Sequence, residues 1–260
     1  MFSMETRNLY IKFDEKEVLK DIKFKVKDEE ITTIIGPNGS GKTTLIKALS
    51  RCLPPDKGTI YLYGKDIKSI KTREVATKMA ILPQIKYISS DITVETLVSH
   101  GRYPYLGLGQ RLGKEDKKIV EWAMEKTGMM DLKEREVFTL SGGEKQRAWI
   151  AMTLCQKTKI LILDEPTTFL DISYQLEILE LIKELNKSLG LTVIMVLHDL
   201  NQAARYSDNI YVLDRGSIFE WGSPQQILRN DLIKNVFKIN SHIYDDEINK
   251  CLYFIPEKRV

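Results

Sequence analysis

The sequence contains little cysteine, and its few cysteines lie far apart. Only Cys52, Cys155 and Cys251 occur in 260 residues. Their separation matches no metal-ligand spacing, and an odd number argues against a disulfide framework. The sequence therefore predicts a protein of a reducing cytoplasm.

Long apolar runs and a strong excess of one charge are also missing. No run approaches the roughly 18 apolar residues needed to cross a bilayer, and residues 1–12 become charged too early for a signal peptide. The 39 basic and 36 acidic residues leave a net charge of +3, so composition gives no argument for a nucleic-acid partner. We therefore expect any role at a membrane to depend on a partner protein.

The apolar residues that are present follow two strand patterns. They make up 43% of the chain, which is enough for the core of one domain with subdivisions. Segments 22–27 and 59–63 alternate apolar and polar residues, which predicts half-buried antiparallel strands. Segments 31–35, 160–163 and 192–197 are unbroken apolar runs, typical of parallel strands covered on both faces.

Helical patterns dominate the middle of the chain. The strand signals fade between residues 83 and 140, and helical stretches are indicated at about 94–100 and 114–127. Ser223 and Pro224 form a helix start that is followed by a mixed tail. The sequence thus predicts an α/β fold with a parallel sheet, an antiparallel part and a helical insertion.

One glycine-rich segment predicts a nucleotide site. It fits the pattern G-x-x-x-x-G-K-[ST] between a predicted strand and a predicted helix, a context that argues against a chance turn. The glycines let backbone N–H groups converge on phosphate; we expect Lys42 to reach the β- and γ-phosphates of ATP and the Thr43 hydroxyl to bind Mg²⁺. The residues assigned to ATP here are Gly36, Pro37, Asn38, Gly39, Ser40, Gly41, Lys42, Thr43 and Thr44.

Two adjacent carboxylates, Asp164 and Glu165, end the apolar run 160–163. This arrangement is costly unless a positive charge lies at the strand tip, and Mg²⁺ supplies one. We assign Asp164 to the metal, through a water, and Glu165 to polarising the attacking water as general base. The alternative is a solvated acidic turn, which the presence of a phosphate loop disfavours.

His198 directly follows the apolar run 192–197. Ligand sites of open α/β sheets lie along the carboxyl edge of the strands, so this position favours a contact with the γ-phosphate. His100 and His242 have no such position, and we expect structural roles for them.

Residues 141–146 admit two interpretations. Ser141 and Glu144 fit the S-x-x-E capping box, which needs no ligand. Gly142 and Gly143, at the start of a predicted helix, would expose backbone N–H groups and the positive end of the helix dipole to an anion. The residues alone leave both interpretations open.

The order of these motifs resembles that of the ATP-binding cassette ATPases over nearly the whole chain. The resemblance implies that Gln84 is a catalytic and Mg²⁺-linked glutamine that connects to a membrane partner. It also implies that Asp171 is the D-loop aspartate at the nucleotide and that His198 is the switch histidine. The motifs in order are the phosphate loop, Gln84, residues 140–144, Asp164 with Glu165, Asp171 and His198.

The resemblance also implies an assembly. Two copies would face each other head to tail, and each ATP would lie between the phosphate loop of one chain and Ser141, Gly142 and Gly143 of the other. The expected partners are an integral-membrane permease dimer and, indirectly, an extracellular or periplasmic substrate-binding protein, with no nucleic acid and with the cassette on the cytoplasmic face of the membrane. The family stacks adenine on an aromatic residue, for which Phe13 lies at a suitable distance and Tyr10 is a rival.

The fold implied by the resemblance is an α/β P-loop NTPase (RecA-like) core with a parallel sheet, an N-terminal antiparallel β-subdomain and an inserted helical subdomain. All of 1–260 would form one domain. Within it, 1–83 and 159–230 would form the nucleotide-binding core, 84–158 the helical subdomain and 231–260 a tail.

Three shorter segments, 101–104, 170–175 and 236–237, resemble the ATPases of importers for iron complexes, namely siderophores, haem and the related cobalamin systems. The core motifs are shared with exporters, which remain an alternative. Cassette ATPases that act on DNA or ribosomes usually have a coiled-coil insertion or two cassettes, which this chain lacks. A small-molecule kinase would leave the 141–146 segment and His198 unexplained.

A loop that follows Gln84 in the sequence is unusually apolar. It either packs under the helical insertion or forms a docking patch for a permease, and its expected nearness to Gln84 favours docking. Its apolar residues are Tyr103, Pro104, Tyr105, Leu106 and Leu108.

Overall fold

The computed structural model describes residues 2–84, 91–107 and 109–260. The strands in these ranges are β1 (Phe2–Phe13), β2 (Lys16–Ile22), β3 (Lys25–Lys27), β4 (Ile31–Ile35), β5 (Lys57–Leu62), β6 (Lys65–Asp66), β7 (Met79–Leu82), β8 (Ile160–Leu163), β9 (Thr192–Val196), β10 (Asn209–Asp214), β11 (Ser217–Gly222), β12 (Ile239–Asp246) and β13 (Cys251–Arg259). The α-helices are α1 (Lys42–Leu49), α2 (Thr72–Lys78), α3 (Val94–Ser99), α4 (Lys114–Lys126), α5 (Gly142–Cys155), α6 (Ile172–Leu189), α7 (Leu200–Tyr206), α8 (Pro224–Ile227) and α9 (Asn230–Phe237).

The central sheet has the strand order β11-β10-β4-β9-β8-β7. Its strands from β10 to β7 run parallel, and β11 is an antiparallel edge strand on β10. The three runs predicted to be parallel strands are β4, β8 and β9. Every residue in them is buried, including the threonines of β4 and β9. The prediction of parallel strands from these runs is confirmed.

Both faces of this sheet are covered by apolar layers. In β8, Leu161 and Leu163 point into one layer while Ile160 and Ile162 point into the other. The first layer contains residues of α5, α6 and α7, and the second contains α1 and the antiparallel sheet. Because successive side chains of a strand alternate between faces, a strand covered on both sides reads as a continuous apolar run.

The N-terminal sheet is antiparallel, with the order β2-β1-β5-β6 and with β3 also paired to β1. The predicted alternation of buried and exposed side chains over 22–27 is confirmed. The segment is not one strand, however, because β2 ends at Ile22 and β3 begins at Lys25. Asp21 has a φ of 46°, and the Phe24 N–H donates to Thr6 Oγ1 at 3.0 Å rather than to a strand carbonyl. The Phe24 ring is fully buried 4.4 Å from Tyr211, so packing preserves the alternation across the break.

The described elements between β7 and β8 are helical. Helices α3 and α4 both pack against α5, and α5 ends at Cys155, shortly before β8 returns the chain to the sheet. The C-terminal end of α5 therefore lies beside the sheet, and its N-terminal end lies farther from the sheet within the helical insertion. Among the helices that the structure describes, none has the length and apolarity of a membrane span.

The tail after β11 is more ordered than the sequence indicates. Helices α8 and α9 are followed by an antiparallel hairpin of β12 and β13. The hairpin is joined to α7 through Asn201, which donates to the Phe254 carbonyl at 3.2 Å and accepts from the Phe254 N–H at 2.8 Å.

Candidate functional site

The phosphate loop connects β4 to α1 and depends on glycine at two positions. A Cβ on Gly36, whose φ is 154°, would lie 2.0 Å from the Leu213 carbonyl oxygen. Gly41 is the N-cap of α1 with a φ of 106°. The first N–H groups of a helix have no acceptor within it, so the start of α1 offers converging donors to an anion.

Lys42 lies inside this loop and is only 6% exposed. Its Nζ donates to the carbonyl oxygens of Gly36 at 2.9 Å and Pro37 at 3.0 Å. Burial lowers the pKa of Lys42, and the nearby Glu165 and Asp164 carboxylates oppose that shift. A phosphate oxygen would be a stronger acceptor than either carbonyl because it is charged, so the ammonium group is well placed for ATP.

An open cavity of about 250 Å³ lies over the loop. It brings the loop together with Glu165 from the end of β8 and His198 from the end of β9. Val18, which sequence reasoning missed, forms one wall from β2. The lining residues are Val18, Asn38, Gly39, Gly41, Lys42, Thr43, Thr44, Glu165 and His198.

The Glu165 carboxylate is surrounded by three polar side chains. His198 Nε2 lies 2.7 Å from Oε1, and Oε2 accepts from Gln84 Nε2 at 2.6 Å and from Thr168 Oγ1 at 3.0 Å. Glu165 itself has a φ of 53°, in the left-handed region. The structure thus brings together the three residues predicted to be catalytic, and adds Thr168, whose only sequence signal is a hydroxyl three residues after Glu165.

Asp164 is 4% exposed, and its Oδ1 atom makes no hydrogen bond within the described chain. Burial, together with the adjacent Glu165 charge, raises the pKa of Asp164 to about 6. A buried carboxylate oxygen without a partner is costly, and a metal ion is a suitable partner. The hydroxyl of Thr43, the carboxylate of Asp164 and the amide oxygen of Gln84 are the oxygen ligands that Mg²⁺ prefers.

The raised pKa of Asp164 predicts a pH-dependent effect of Asp164→Asn. Because the folded pKa of about 6 lies above the ordinary aspartate value of 3.8, the charged carboxylate destabilises the fold increasingly from about pH 4 to pH 6. The penalty is complete above that range. Removing the charge should therefore stabilise the protein at pH 7.5 by up to roughly 3 kcal/mol, at about 1.36 kcal/mol per pKa unit, and much less near pH 4.5.

Thermal unfolding in EDTA without nucleotide, at both pH values, measures this effect. Asp245→Asn, at an exposed position in β12, is the control and should change little at either pH. An equal shift for Asp164→Asn at both pH values would contradict the electrostatic origin.

The start of α5 forms a capping box. Ser141 Oγ accepts from the Glu144 N–H at 3.3 Å, and the Ser141 N–H donates to Glu144 Oε2 at 2.7 Å. Gly142 is exposed and Gly143 is buried. The structural interpretation of this segment is therefore correct, and it is compatible with an anion at the same helix start.

Gly143 is buried by its own chain. A Cβ at this position would lie 2.2 Å from Tyr174 Cδ1. Tyr174 belongs to the first turn of α6, whose N-cap Asp171 accepts from the Tyr174 N–H at 3.0 Å. Hence the starts of α5 and α6 pack against each other.

Residues 141–143 do not line the cavity over the phosphate loop. The starts of α1 and α5, the two helix starts considered for an anion, therefore do not share this cavity.

Phe13, the predicted adenine contact, is 48% exposed at the end of β1. It pairs with Lys16 across the turn, and Val18 in the same strand as Lys16 lines the cavity. Tyr10 is half-buried and pairs with Lys57 of β5, on the other side of β1. This topology favours Phe13, and the assignment stays a prediction.

Part of the apolar loop after Gln84 is a 3-10 turn, His100–Tyr105. The Tyr105 hydroxyl donates to the Gln156 carbonyl at 2.8 Å, and its ring lies 3.9 Å from the Arg102 guanidinium. Tyr103 is 59% exposed. Packing within the chain thus accounts for Tyr105, whereas a docking role for Tyr103 stays a prediction. Leu108 lies outside the described residues.

Comparison with protein families gives a match over more than half of the chain. The family described as "ABC transporter" matches residues 19–168. The iron(3+)-hydroxamate import ATP-binding protein FhuC of Bacillus subtilis (strain 168) is 44% identical over 246 residues, or 95% of this chain and 91% of that protein. The ferric enterobactin transport ATP-binding protein FepC of Escherichia coli (strain K12) is 44% identical over 239 residues, or 92% of this chain and 88% of that protein.

Two solved structures show the likeness in three dimensions. An inward-facing metal-chelate type ABC transporter has a TM-score of 0.87 at 23% identity, over 99% of this chain and 98% of that chain. A dimeric bacterial ABC transporter cassette has a TM-score of 0.74 at 26% identity, over 85% of this chain and 98% of that chain. These likenesses confirm the predicted fold class.

Proposed function

We propose, from the premise that this chain belongs to the ABC transporter family of ATP-binding proteins, that it powers the import of ferric siderophore complexes. As a member of that family it binds ATP and couples ATP hydrolysis to transport. The observation that carries the choice of substrate is the 44% identity, over more than nine-tenths of this chain, to two proteins, one named for iron(3+)-hydroxamate import and one for ferric enterobactin transport. The same names argue against the exporter and against cassettes that act on DNA or ribosomes.

The proposed hydrolytic step uses the residues around Glu165. Lys42 and the amide groups at the start of α1 bind the β- and γ-phosphates. Glu165 accepts a proton from the attacking water as general base. For this to happen, His198 would leave the 2.7 Å contact with Glu165 for the γ-phosphate. Gln84 would give up its bond to Glu165 and become one of the residues that would hold Mg²⁺.

The donor set beside the loop fits Mg²⁺. We assign its binding to Thr43, Asp164 and Gln84, with Asp164 acting through a water. A bound Mg²⁺ supplies charge neutralisation for the phosphate oxygens as the γ-phosphoryl group is transferred. The unpaired Oδ1 of buried Asp164 supports this assignment.

We propose a head-to-tail homodimer in which Ser141, Gly142, Gly143 and Asp171 of one copy complete the site of the other. The separation of residues 141–143 from the cavity of their own chain supports it. Beside Asp171, Phe169 and Ile172 are 96% and 76% exposed, an apolar surface that a second copy would cover.

The proposed membrane partner is a permease dimer that contacts the surface near Gln84 and Tyr103. Through it, the chain would work at the cytoplasmic face of the membrane with an extracellular or periplasmic substrate-binding protein. The division into 1–83 with 159–230, 84–158 and 231–260 is part of the same proposal, because the helical part would carry both the permease contact and Ser141.

Co-purification from membranes and uptake of a ⁵⁵Fe-labelled hydroxamate siderophore test this function. Cells that lack the chain should lose uptake and regain it with the wild type, and the tagged chain should bring down its permease. Tyr103→Asp should weaken permease binding by about tenfold or more, since a buried interface aromatic typically contributes over 1.4 kcal/mol, while the ATPase rate of the isolated chain stays unchanged.

Phe219→Asp is the matched control, because Phe219 is 50% exposed on the edge strand β11. It should leave co-purification and uptake intact. Wild-type uptake in cells without the chain would contradict the proposed substrate, whereas full permease binding by Tyr103→Asp would contradict only the docking surface.

A further inference from the structure

The three polar contacts of Glu165 differ in how long they can last during the reaction. Gln84 and His198 come from distant parts of the chain and, in the proposed function, each moves to another partner when ATP binds. Thr168 belongs to the same turn as Glu165, since its N–H donates to the Glu165 carbonyl at 3.3 Å while its Oγ1 bonds to Oε2 at 3.0 Å. Its hydroxyl is thus the contact that does not depend on the other two.

The turn that contains Glu165 and Thr168 is largely buried. Pro166 and Thr167 between the two residues are buried, and Thr168 is half-buried. The Glu165 side chain is 9% exposed and also lines the cavity over the phosphate loop. A β-branched threonine has few side-chain rotamers, which makes its hydroxyl a donor of fixed position.

Glu165 needs such a donor once the other contacts have moved. A glutamate side chain has several rotatable bonds, and a general base contributes only when it lies within hydrogen-bond reach of the water it activates. With Oε2 held by Thr168, the freed Oε1 would keep its present direction, toward the position that His198 Nε2 contacts at 2.7 Å.

We propose that Thr168 is a positioning residue that holds the Glu165 carboxylate in its reactive orientation through the bond from Oγ1 to Oε2. The inference rests on the proposed role of Glu165 as general base. Thr168 does not line the cavity over the phosphate loop, and in this proposal it acts through Glu165. It should therefore affect the rate of hydrolysis and not the binding of ATP.

Thr168→Val, which keeps the shape of the side chain but removes the hydroxyl, tests the proposal. The kcat of MgATP hydrolysis by the full chain should fall by about tenfold to a hundredfold, the range for losing a hydrogen bond to a charged group. The KM and the dissociation constant for ATP should change by less than about twofold, because the ground-state contacts remain. Thr168→Ser should restore the rate to within about threefold.

A double-mutant cycle separates positioning from a general structural role. In a Glu165→Gln background, Thr168→Val should produce almost no further loss, because the hydroxyl acts through the carboxylate. The control Thr77→Val removes another half-buried threonine hydroxyl, which donates to the Glu74 carbonyl of its own helix, and should keep the wild-type rate. If circular dichroism shows that Thr168→Val is unfolded, Thr168→Ala replaces it in the same cycle.

The outcomes distinguish this inference from the function on which it rests. A wild-type kcat in Thr168→Val, or an equal loss in the presence and absence of the Glu165 carboxylate, overturns the positioning role while leaving the base in place. A wild-type rate in Glu165→Gln overturns the base assignment itself. Failure of Thr168→Ser to restore the rate also counts against the hydroxyl.

Discussion

Glu165→Gln should bind MgATP and hydrolyse it about 10² to 10⁴ times more slowly than the wild type, the usual contribution of a general base. Glutamine keeps the size of the side chain, and the hydrogen bonds offered to Oε1 and Oε2 can largely be replaced. What it loses is the ability to take a proton from water. Because ATP binding is retained, the variant should accumulate as an ATP-bound dimer.

Phosphate release and size-exclusion chromatography with MgATP measure the two parts of this prediction. Glu247→Gln, at an exposed position in the turn between β12 and β13, is the matched control and should match the wild type. Near-wild-type turnover would remove Glu165 from its role, and a monomeric elution profile with bound ATP would contradict the head-to-tail dimer.

Ser141→Arg and Lys42→Ala should each abolish ATP hydrolysis alone and recover part of it when mixed. Lys42→Ala removes the buried ammonium group from the phosphate loop, and an arginine at position 141 places a long side chain where a second copy would present its γ-phosphate. A mixed dimer has one site with an intact loop and an intact helix start. Random pairing of equal amounts should therefore restore at most roughly a quarter of the wild-type activity, because half of the dimers are mixed and each has one good site.

ATPase assays on the separate and mixed variants, purified with different tags, measure this recovery. Ser141→Thr keeps a hydroxyl for the capping box and should stay active, so it controls for damage to α5. No recovery in the mixture, or full activity of Ser141→Arg alone, would show that the site is not shared between copies.

Much of the central architecture could be predicted because local pattern and tertiary environment agree there. The strands β4, β8 and β9 are covered on both faces, so burial favours uncharged and mostly apolar residues along their whole length. The capping box of Ser141 and Glu144 is also local. Each of these features is complete within a few residues.

The features that were missed depend on contacts between distant segments or on polar side chains of ordinary type. The break between β2 and β3 arises because the Thr6 hydroxyl takes the Phe24 N–H. The C-terminal hairpin is held to α7 by Asn201. Thr168 looks like any turn residue until its hydroxyl is seen at 3.0 Å from Glu165.

The contact between Gly143 and Tyr174 has a consequence for how variation at this position should be interpreted. The Tyr174 ring would lie 2.2 Å from a Cβ at position 143, so any side chain there would force the ring to move, whether or not a nucleotide ever meets the helix start. Glycine at position 143 would therefore meet two separate requirements, the packing of its own chain and the proposed partner site. Glycine at this position in related sequences would not tell the two requirements apart. A larger residue at position 143 together with a smaller residue at position 174 would separate them.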